Sequence, residues 1–235
     1  MKGQLYLIPT FIGAEEPGQV FPSYNISVIE SLQYFVVEDL KTARRFIRKV
    51  CPLRSIDELV FFELNEHTPD TAVSGYLDPC LQGASVGILS EAGVPCVADP
   101  GSLLVRLAHQ QGIGVVPLVG PSSILLALMA SGLNGQNFAF VGYLPVDRNK
   151  RQRTIRQLEQ RSRTENQTQC FMETPYRNQQ LFEDIVQAAH PDTLLCIAVD
   201  ITLPSQQIVT RPIREWQKSK PDIHKRPAIF LLKGE

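Results

Sequence analysis

The chain has 235 residues, 43% of them hydrophobic and 20% charged, with a formal net charge of −1. That composition excludes a disordered chain, and the near-zero charge excludes a polyanion-binding surface spread over the whole molecule, so any nucleic-acid contact must come from a local patch. The length suits one large domain or two small ones.

No apolar run approaches the ~20 residues of a membrane span, and the chain starts directly on a strand pattern with no secretory signal. The cysteines Cys51, Cys80, Cys96, Cys170 and Cys196 are odd in number and form no CxxC pair. This argues against a zinc site or a disulfide framework, and a reducing cytoplasm is the expected location.

Residues 4–9 read as a first strand ended by Pro9. Thr10-Phe11-Ile12-Gly13-Ala14 follows, and no GxGxxG turn of a dinucleotide-binding unit is present there. Residues 27–32 read as a short helix and 34–37 as a strand. Glu38 and Asp39 then open a helix that carries Lys41, Arg44 and Arg45. Acids at a helix start with cations later complement the helix dipole, so a structural role stands beside a substrate-facing one. After a strand at 59–64 comes Asn65-Glu66-His67-Thr68, a loop suited to acid–base chemistry or simply a surface pair. Residues 70–82 read as a helix with Gly75 inside it.

The apolar run 86–89 reads as a buried strand. Its loop, Ser90-Glu91-Ala92-Gly93-Val94-Pro95-Cys96-Val97-Ala98-Asp99-Pro100-Gly101, hands over to an amphipathic helix stopped at Gly112. In an open α/β sheet, ligands bind at the carboxyl ends of strands. Gly93 would let backbone approach a ligand, and Glu91 and Asp99 put two carboxylates in the same loop. A strand at 114–119 leads through Gly120-Pro121-Ser122-Ser123 into an apolar helix at 124–130. The alternation of strand and helix predicts a mostly parallel sheet covered on both faces.

Two domains are expected, residues 1–137 and 138–235. In the second, residues 148–163 form a basic run, which reads as a phosphate-binding patch or as a solvated helix face. A strand at 169–173 is followed by Thr174 as N-cap and Pro175 as first residue of a helix over 176–189. Residues 194–201 and 228–232 read as strands.

Several of these segments together resemble one family. The Ser90-to-Gly101 loop is similar to the SDAGTPLISDPG signature of the tetrapyrrole methylase superfamily. Thr10, Ile12 and Gly13 match the TPIGN turn of its ribosomal RNA methylase branch, with Phe11 and Ala14 departing. Glu38, Asp39, Thr42 and Arg44 fall on EDTRHTRKLL, Glu66 and His67 on HEHN, and Phe138 to Pro145 on FxFxGFLP. The basic run falls on KKGERRKRL, Glu173 to Arg177 on ESPHR, and Asp200-Ile201-Thr202 loosely on ELT.

Within the superfamily the resemblance is closest to the branch that methylates a ribose 2′-hydroxyl in small-subunit ribosomal RNA. It implies two α/β domains, a mostly parallel N-terminal sheet and a mixed C-terminal one, with S-adenosylmethionine in the cleft between them, and a homodimer. It implies cofactor contacts at Pro9, Glu91, Ala92, Gly93, Val94, Val97, Ser122, Ser123, Glu173, Ile201 and Ala228. The RNA-facing candidates are Arg44, Arg148, Lys150, Arg151, Arg153 and Arg177. Candidate general bases are Glu38, Asp39, Glu66, His67 and Asp99, which the sequence does not rank; no metal is implied. Where the branch continues after ELT with a lysine and acids, this chain has Leu203-Pro204-Ser205-Gln206-Gln207. That departure leaves open a different acceptor, tetrapyrrole-like or another small molecule, or a non-catalytic cofactor-binding descendant.

Overall fold

The structure, a computed structural model, describes all residues except Ala14, Glu15, Glu66 and the side chain of Asp70. The chain divides into two compact units, Met1–Ser122 and Ser123–Glu235.

The first unit contains β1 (Gln4–Ile8), α1 (Pro17–Val20), α2 (Ser23–Ser31), β2 (Tyr34–Val37), α3 (Leu40–Val50) and β3 (Val60–Glu63). It continues with α4 (Asp70–Val73), a 3₁₀ turn at Ser74–Leu77, α5 (Asp78–Leu81), β4 (Val86–Leu89), α6 (Ser102–Gln110) and β5 (Gly114–Pro117). The strands pair in parallel in the order β3-β2-β4-β1-β5.

Alternation along the strands feeds two cores. Ile8, Phe35, Val37 and Leu89 pack with Ile29 of α2 and Phe46 and Ile47 of α3. Leu5, Val36, Val86 and Ile88 pack on the other face with Leu77, Leu104 and Ala108. A sheet buried on both faces explains why its strands read as continuous apolar runs. Neighbours β2 and β4 lead away in opposite directions, β2 to β3 and β4 through α6 to β5. Their carboxyl ends therefore form a topological switch point, where open α/β sheets bind ligands.

The second unit contains α7 (Ser123–Ser131), β6 (Phe138–Tyr143), α8 (Arg148–Glu165), β7 (Thr168–Met172), α9 (Asn178–Ala188) and β8 (Leu194–Val199). After these come β9 (Gln207–Pro212), α10 (Ile213–Trp216) and β10 (Ala228–Lys233). Its sheet is mixed, in the order β6-β7-β10-β8-β9, with only the β6–β7 pair parallel. Phe171, Ile197, Phe230 and Leu232 pack against Ile155, Leu158, Phe182 and Trp216.

Three sequence expectations differ from this architecture. The helix over 70–82 is broken into α4, the 3₁₀ turn and α5, because Pro79 sits in the first turn of α5 and cannot continue a preceding helix. The helix expected from Tyr176 begins at Asn178. Thr174 does not cap it, and its carbonyl instead closes a turn with the Arg177 N–H. Helix α7, expected before a boundary at 137/138, packs on β8, β9 and β10 and belongs to the second unit. There the Thr210 hydroxyl donates to the Ser131 carbonyl at 2.7 Å.

Candidate functional site

In the first unit, the loops that leave β1, β4 and β5 are tied into one knot. The Thr10 N–H donates to the Gly93 carbonyl at 2.9 Å, and the Thr10 hydroxyl donates to the Ser90 carbonyl at 3.2 Å. The Ser90 hydroxyl also donates to the Gly93 carbonyl. Gly93 adopts φ +75°, and a Cβ there would lie 2.9 Å from Ile12 Cγ2 and 3.2 Å from the Pro121 carbonyl. At Gly120 a Cβ would come within 2.4 Å of the Pro9 Cβ. Both glycines are thus required by loop-on-loop packing, and the space beside Gly93, expected to admit a ligand, is filled by Ile12 and Pro121. Pro9 and Gly93 are buried in the knot and Val94 is half-buried. Glu91, Ala92 and Val97 are exposed, and Ser122 ends the unit half-buried.

The switch point between β2 and β4 gathers the acidic residues. A pocket there is lined by Glu38, Asn65, His67, Ala98, Asp99 and Pro100. Asp39 is not equivalent to the others. Its Oδ1 accepts the Thr42 N–H at 2.7 Å and caps α3, and those bonds hold its carboxyl below the usual carboxylate range. Asp99 Oδ1 accepts the N–H groups of Cys96 and Gly101 at 2.9 and 2.8 Å. The bonds pin a loop in which Cys96 and Ala98 hold φ of 66° and 60°, a conformation that costs a non-glycine residue about 1–3 kcal/mol. Burial pushes the Asp99 carboxyl up, opposed by those two N–H groups. Glu66 lies outside the described residues.

A second pocket, on the α3 side, is lined by Thr10, Phe11, Thr42, Arg45, Phe46, Lys49, Ser90 and Glu91 among others. Burial, then the charges of Glu38 and Asp39, push the Glu91 carboxyl up, and Arg45 opposes the shift. Sequence reasoning singles out neither Arg45 nor Lys49 for this pocket. Their spacing of four along α3 is the available signal.

In the second unit, Glu173, Ile201 and Ala228 lie at one end of the sheet, where β7 and β8 finish and β10 starts. All three are buried. Glu173 Oε1 accepts the Thr174 N–H at 2.7 Å and an Arg177 guanidinium N–H at 2.6 Å, which commits Arg177, an RNA candidate, to an internal pair. Glu173 Oε2 is buried without a hydrogen-bond partner among the described residues. Asp200 and Thr202 hold positive φ on either side of Ile201, and Arg226 Nε donates to Asp200 Oδ2 at 2.8 Å. Ser123 starts α7 and is half-buried.

The basic run divides in two. Arg151 is 1% exposed and donates through Nε to Asp184 Oδ2 at 2.8 Å, while Arg148 Nε reaches Asp184 Oδ1 at 2.9 Å. Arg151 is therefore a core residue, not an RNA contact: its guanidinium is satisfied inside the protein and closed to a phosphate. Lys150 and Arg153 are exposed on α8, and Arg44 is exposed on α3 with its guanidinium 5.4 Å from the Phe61 ring centroid.

These features suit a cationic cofactor such as S-adenosylmethionine. In the first unit carboxylates cluster at the switch point; in the second, taken by itself, Glu173 Oε2 is buried with no hydrogen-bond donor among the described residues. The family model for the Tetrapyrrole (Corrin/Porphyrin) Methylases matches residues 26–217. Ribosomal RNA small subunit methyltransferase I of Vibrio cholerae is 29% identical over 234 residues, which cover 98% of this chain and 77% of that protein. The protein of the same name from Halalkalibacterium halodurans is 31% identical over 185 residues, 79% of this chain and 60% of that one. Among solved structures, the methyltransferase CobJ matches with a TM-score of 0.63 at 17% identity, covering 99% of this chain and 94% of that one. Uroporphyrin-III C-methyl transferase from Thermus thermophilus, complexed with S-adenyl homocysteine, matches with a TM-score of 0.59 at 15% identity, covering 98% and 97%. At those identities the structural likeness concerns the fold.

Proposed function

The chain belongs to the tetrapyrrole (corrin/porphyrin) methylase family and is an S-adenosylmethionine-dependent methyltransferase, and from that premise we propose that its acceptor is a ribose 2′-hydroxyl of small-subunit ribosomal RNA. The observation that carries this reading is the similarity, along 98% of the chain, to a protein named for small-subunit ribosomal RNA methylation. Thr10, Ile12 and Gly13 of the turn after β1 fall on that branch's TPIGN sequence, with Phe11 and Ala14 departing, which supports an RNA rather than a tetrapyrrole acceptor.

Bound S-adenosylmethionine supplies an electrophilic methyl group on a sulfonium. The chain must hold the acceptor in line with it, exclude water and take one proton. Positioning alone can supply about 7–11 kcal/mol of such a barrier. The knot of Pro9, Thr10, Ser90 and Gly93 gives the cofactor loops a fixed shape, and Glu91 answers the cofactor's positive charge. Asp99 is the proton acceptor in this reading. Its Oδ1 is oriented by two backbone N–H groups, and burial raises its affinity for a proton, as a general base requires. Glu38 and His67 line the same pocket and orient the acceptor.

The working enzyme is proposed to be a cytoplasmic homodimer. Among the described residues no helix is long and apolar enough to cross a membrane.

The test is transfer of a labelled methyl group from S-adenosylmethionine to small ribosomal subunits that lack this modification. Label in the RNA at one alkali-resistant linkage is the expected result. Label absent from RNA, from protein that binds the cofactor, would redirect the search to a small-molecule acceptor or to a non-catalytic descendant.

A further inference from the structure

We propose that the solvent face of α3 is the surface on which the RNA acceptor's phosphates dock; this rests on the reading that the acceptor is RNA. The helix buries Ala43, Phe46, Ile47 and Val50 and carries Lys41, Arg44, Arg45, Arg48 and Lys49 on its exposed side. No acidic residue occurs between Leu40 and Val50. Lys41, Arg45 and Lys49 follow one another at intervals of four, and Arg44 and Arg48 form a second row beside them. Like charges at that spacing disfavour a helix.

The helix dipole accounts for Arg48 and Lys49 in the last turn, where cations are favoured. It does not account for Lys41 in the first turn, where a cation is disfavoured, nor for Arg44 and Arg45 in the middle of the helix, beyond the reach of either end. The cost is explained by a polyanion that binds the face. A row of cations about 6 Å apart along the axis suits a strand of regularly spaced phosphates, which Lys and Arg neutralise with release of counterions.

Two further observations favour this face over the basic run on α8. Arg45 and Lys49 line the same pocket as Glu91, Thr10 and Ser90, so the cations are continuous with the site. On α8 four of the seven cations are held by partners within the protein. Arg148 and Arg151 pair with Asp184, Arg161 pairs with Glu165, and Arg163 donates to the Glu235 carbonyl.

The experiment measures affinity of the 235-residue protein for a labelled single-stranded RNA oligonucleotide across a range of salt concentrations. The double variant Lys41→Ala/Arg48→Ala, remote from the pocket lining, is expected to lower the slope of log K against log salt by about 1.4, roughly 0.7 for each phosphate that is no longer neutralised. Its cofactor affinity should be unchanged, and Lys41→Arg/Arg48→Lys should restore the slope. Arg153→Ala/Arg156→Ala on α8 should leave the slope near the parent's. An unchanged slope in the α3 variant, with cofactor binding intact, overturns the docking surface. A loss of affinity of the α3 variant for anionic lipid vesicles, with no change towards RNA, also overturns it. Methyl transfer to ribosomal subunits by the unmodified protein reads the acceptor separately. Transfer with no α3 dependence sinks the docking surface alone, whereas absent transfer sinks the RNA reading beneath it.

Discussion

The backbone N–H of Thr10 and the carbonyl of Gly93 meet at 2.9 Å, joining the loop that leaves β1 to the loop that leaves β4. The bond fixes two separate stretches of sequence, 83 residues apart, as one surface. Gly93 is the residue on which it turns, because its φ of +75° and the 2.9 Å approach of Ile12 Cγ2 both oppose a side chain. Gly93→Ala is expected to cost about 1–2 kcal/mol from the left-handed backbone alone, seen as a lower denaturation midpoint. Gly93→Val adds branched bulk against Pro121 and is expected to abolish cofactor binding in a calorimetric titration. Unchanged affinity in that variant would place the cofactor elsewhere.

Arg151 and Asp184 are each 1% exposed. Asp184 also accepts from Arg148 and from Gln152 at 3.1 Å, and Arg151 Nη1 donates to the Val146 carbonyl at 2.8 Å. The pair therefore ties α8 to α9 and holds the turn that leaves β6. Removing one partner of a buried pair leaves the other charge uncompensated, at a cost of about 3–5 kcal/mol. Arg151→Ala should lower the urea midpoint accordingly, while Arg153→Ala, exposed two residues on, should change stability by no more than about 0.5 kcal/mol. Equal midpoints for the two variants would remove the structural role assigned to Arg151.

The sequence carries more about Arg151 than its place in a basic run suggests. It precedes Ile155 by four residues and Leu158 by seven, so it occupies the buried stripe of α8 with Ile155, Leu158 and Ser162. Its partner is not legible, since Asp184 lies 33 residues away and nothing local marks it as buried. The strand-end loops are legible for the opposite reason: Pro9, Gly93 and Gly120 are backbone requirements, and such residues punctuate a sequence visibly. Helix α7 is apolar nearly all round, so no stripe tells which sheet it will meet. Pro79 is visible in the stretch that reads as one helix, but the apolar spacing around it outweighs the break that the proline imposes on the preceding turn.

Glu173 offers a test in the second unit. Its Oε1 is committed to Thr174 and Arg177, and its Oε2 is a buried acceptor without a donor among the described residues. If a donor of the cofactor meets Oε2, Glu173→Gln keeps the Oε1 bonds and replaces the acceptor with a donating amide. Loss of a hydrogen bond to a charged group corresponds to about 1.5–3 kcal/mol, or roughly a 10- to 100-fold weaker cofactor affinity, with the thermal midpoint little changed. A lower midpoint with unaltered affinity would make Glu173 a structural anchor for Arg177 and no more.

Asp99→Asn separates chemistry from architecture at the proposed base. The asparagine Oδ1 still accepts the Cys96 and Gly101 N–H groups that Asp99 Oδ1 accepts now, so the turn is retained while the proton acceptor is lost. General-base catalysis is worth about 10²–10⁴-fold, and kcat should fall within that range with cofactor affinity preserved. In the parent, activity should decline on acidification as Asp99 takes up a proton, and that limb should lie above the ordinary carboxylate range because burial raises the group. Stability should move in the opposite sense. A carboxyl whose folded pKa is raised contributes most below its unfolded pKa and loses that contribution as pH rises through the folded one. The asparagine variant should therefore melt higher than the parent at pH 8, with the advantage gone near pH 3, both read by thermal denaturation. A variant less stable than the parent at both values would mean that the carboxylate serves the loop's structure, and the base would then have to be sought at Glu38 or His67.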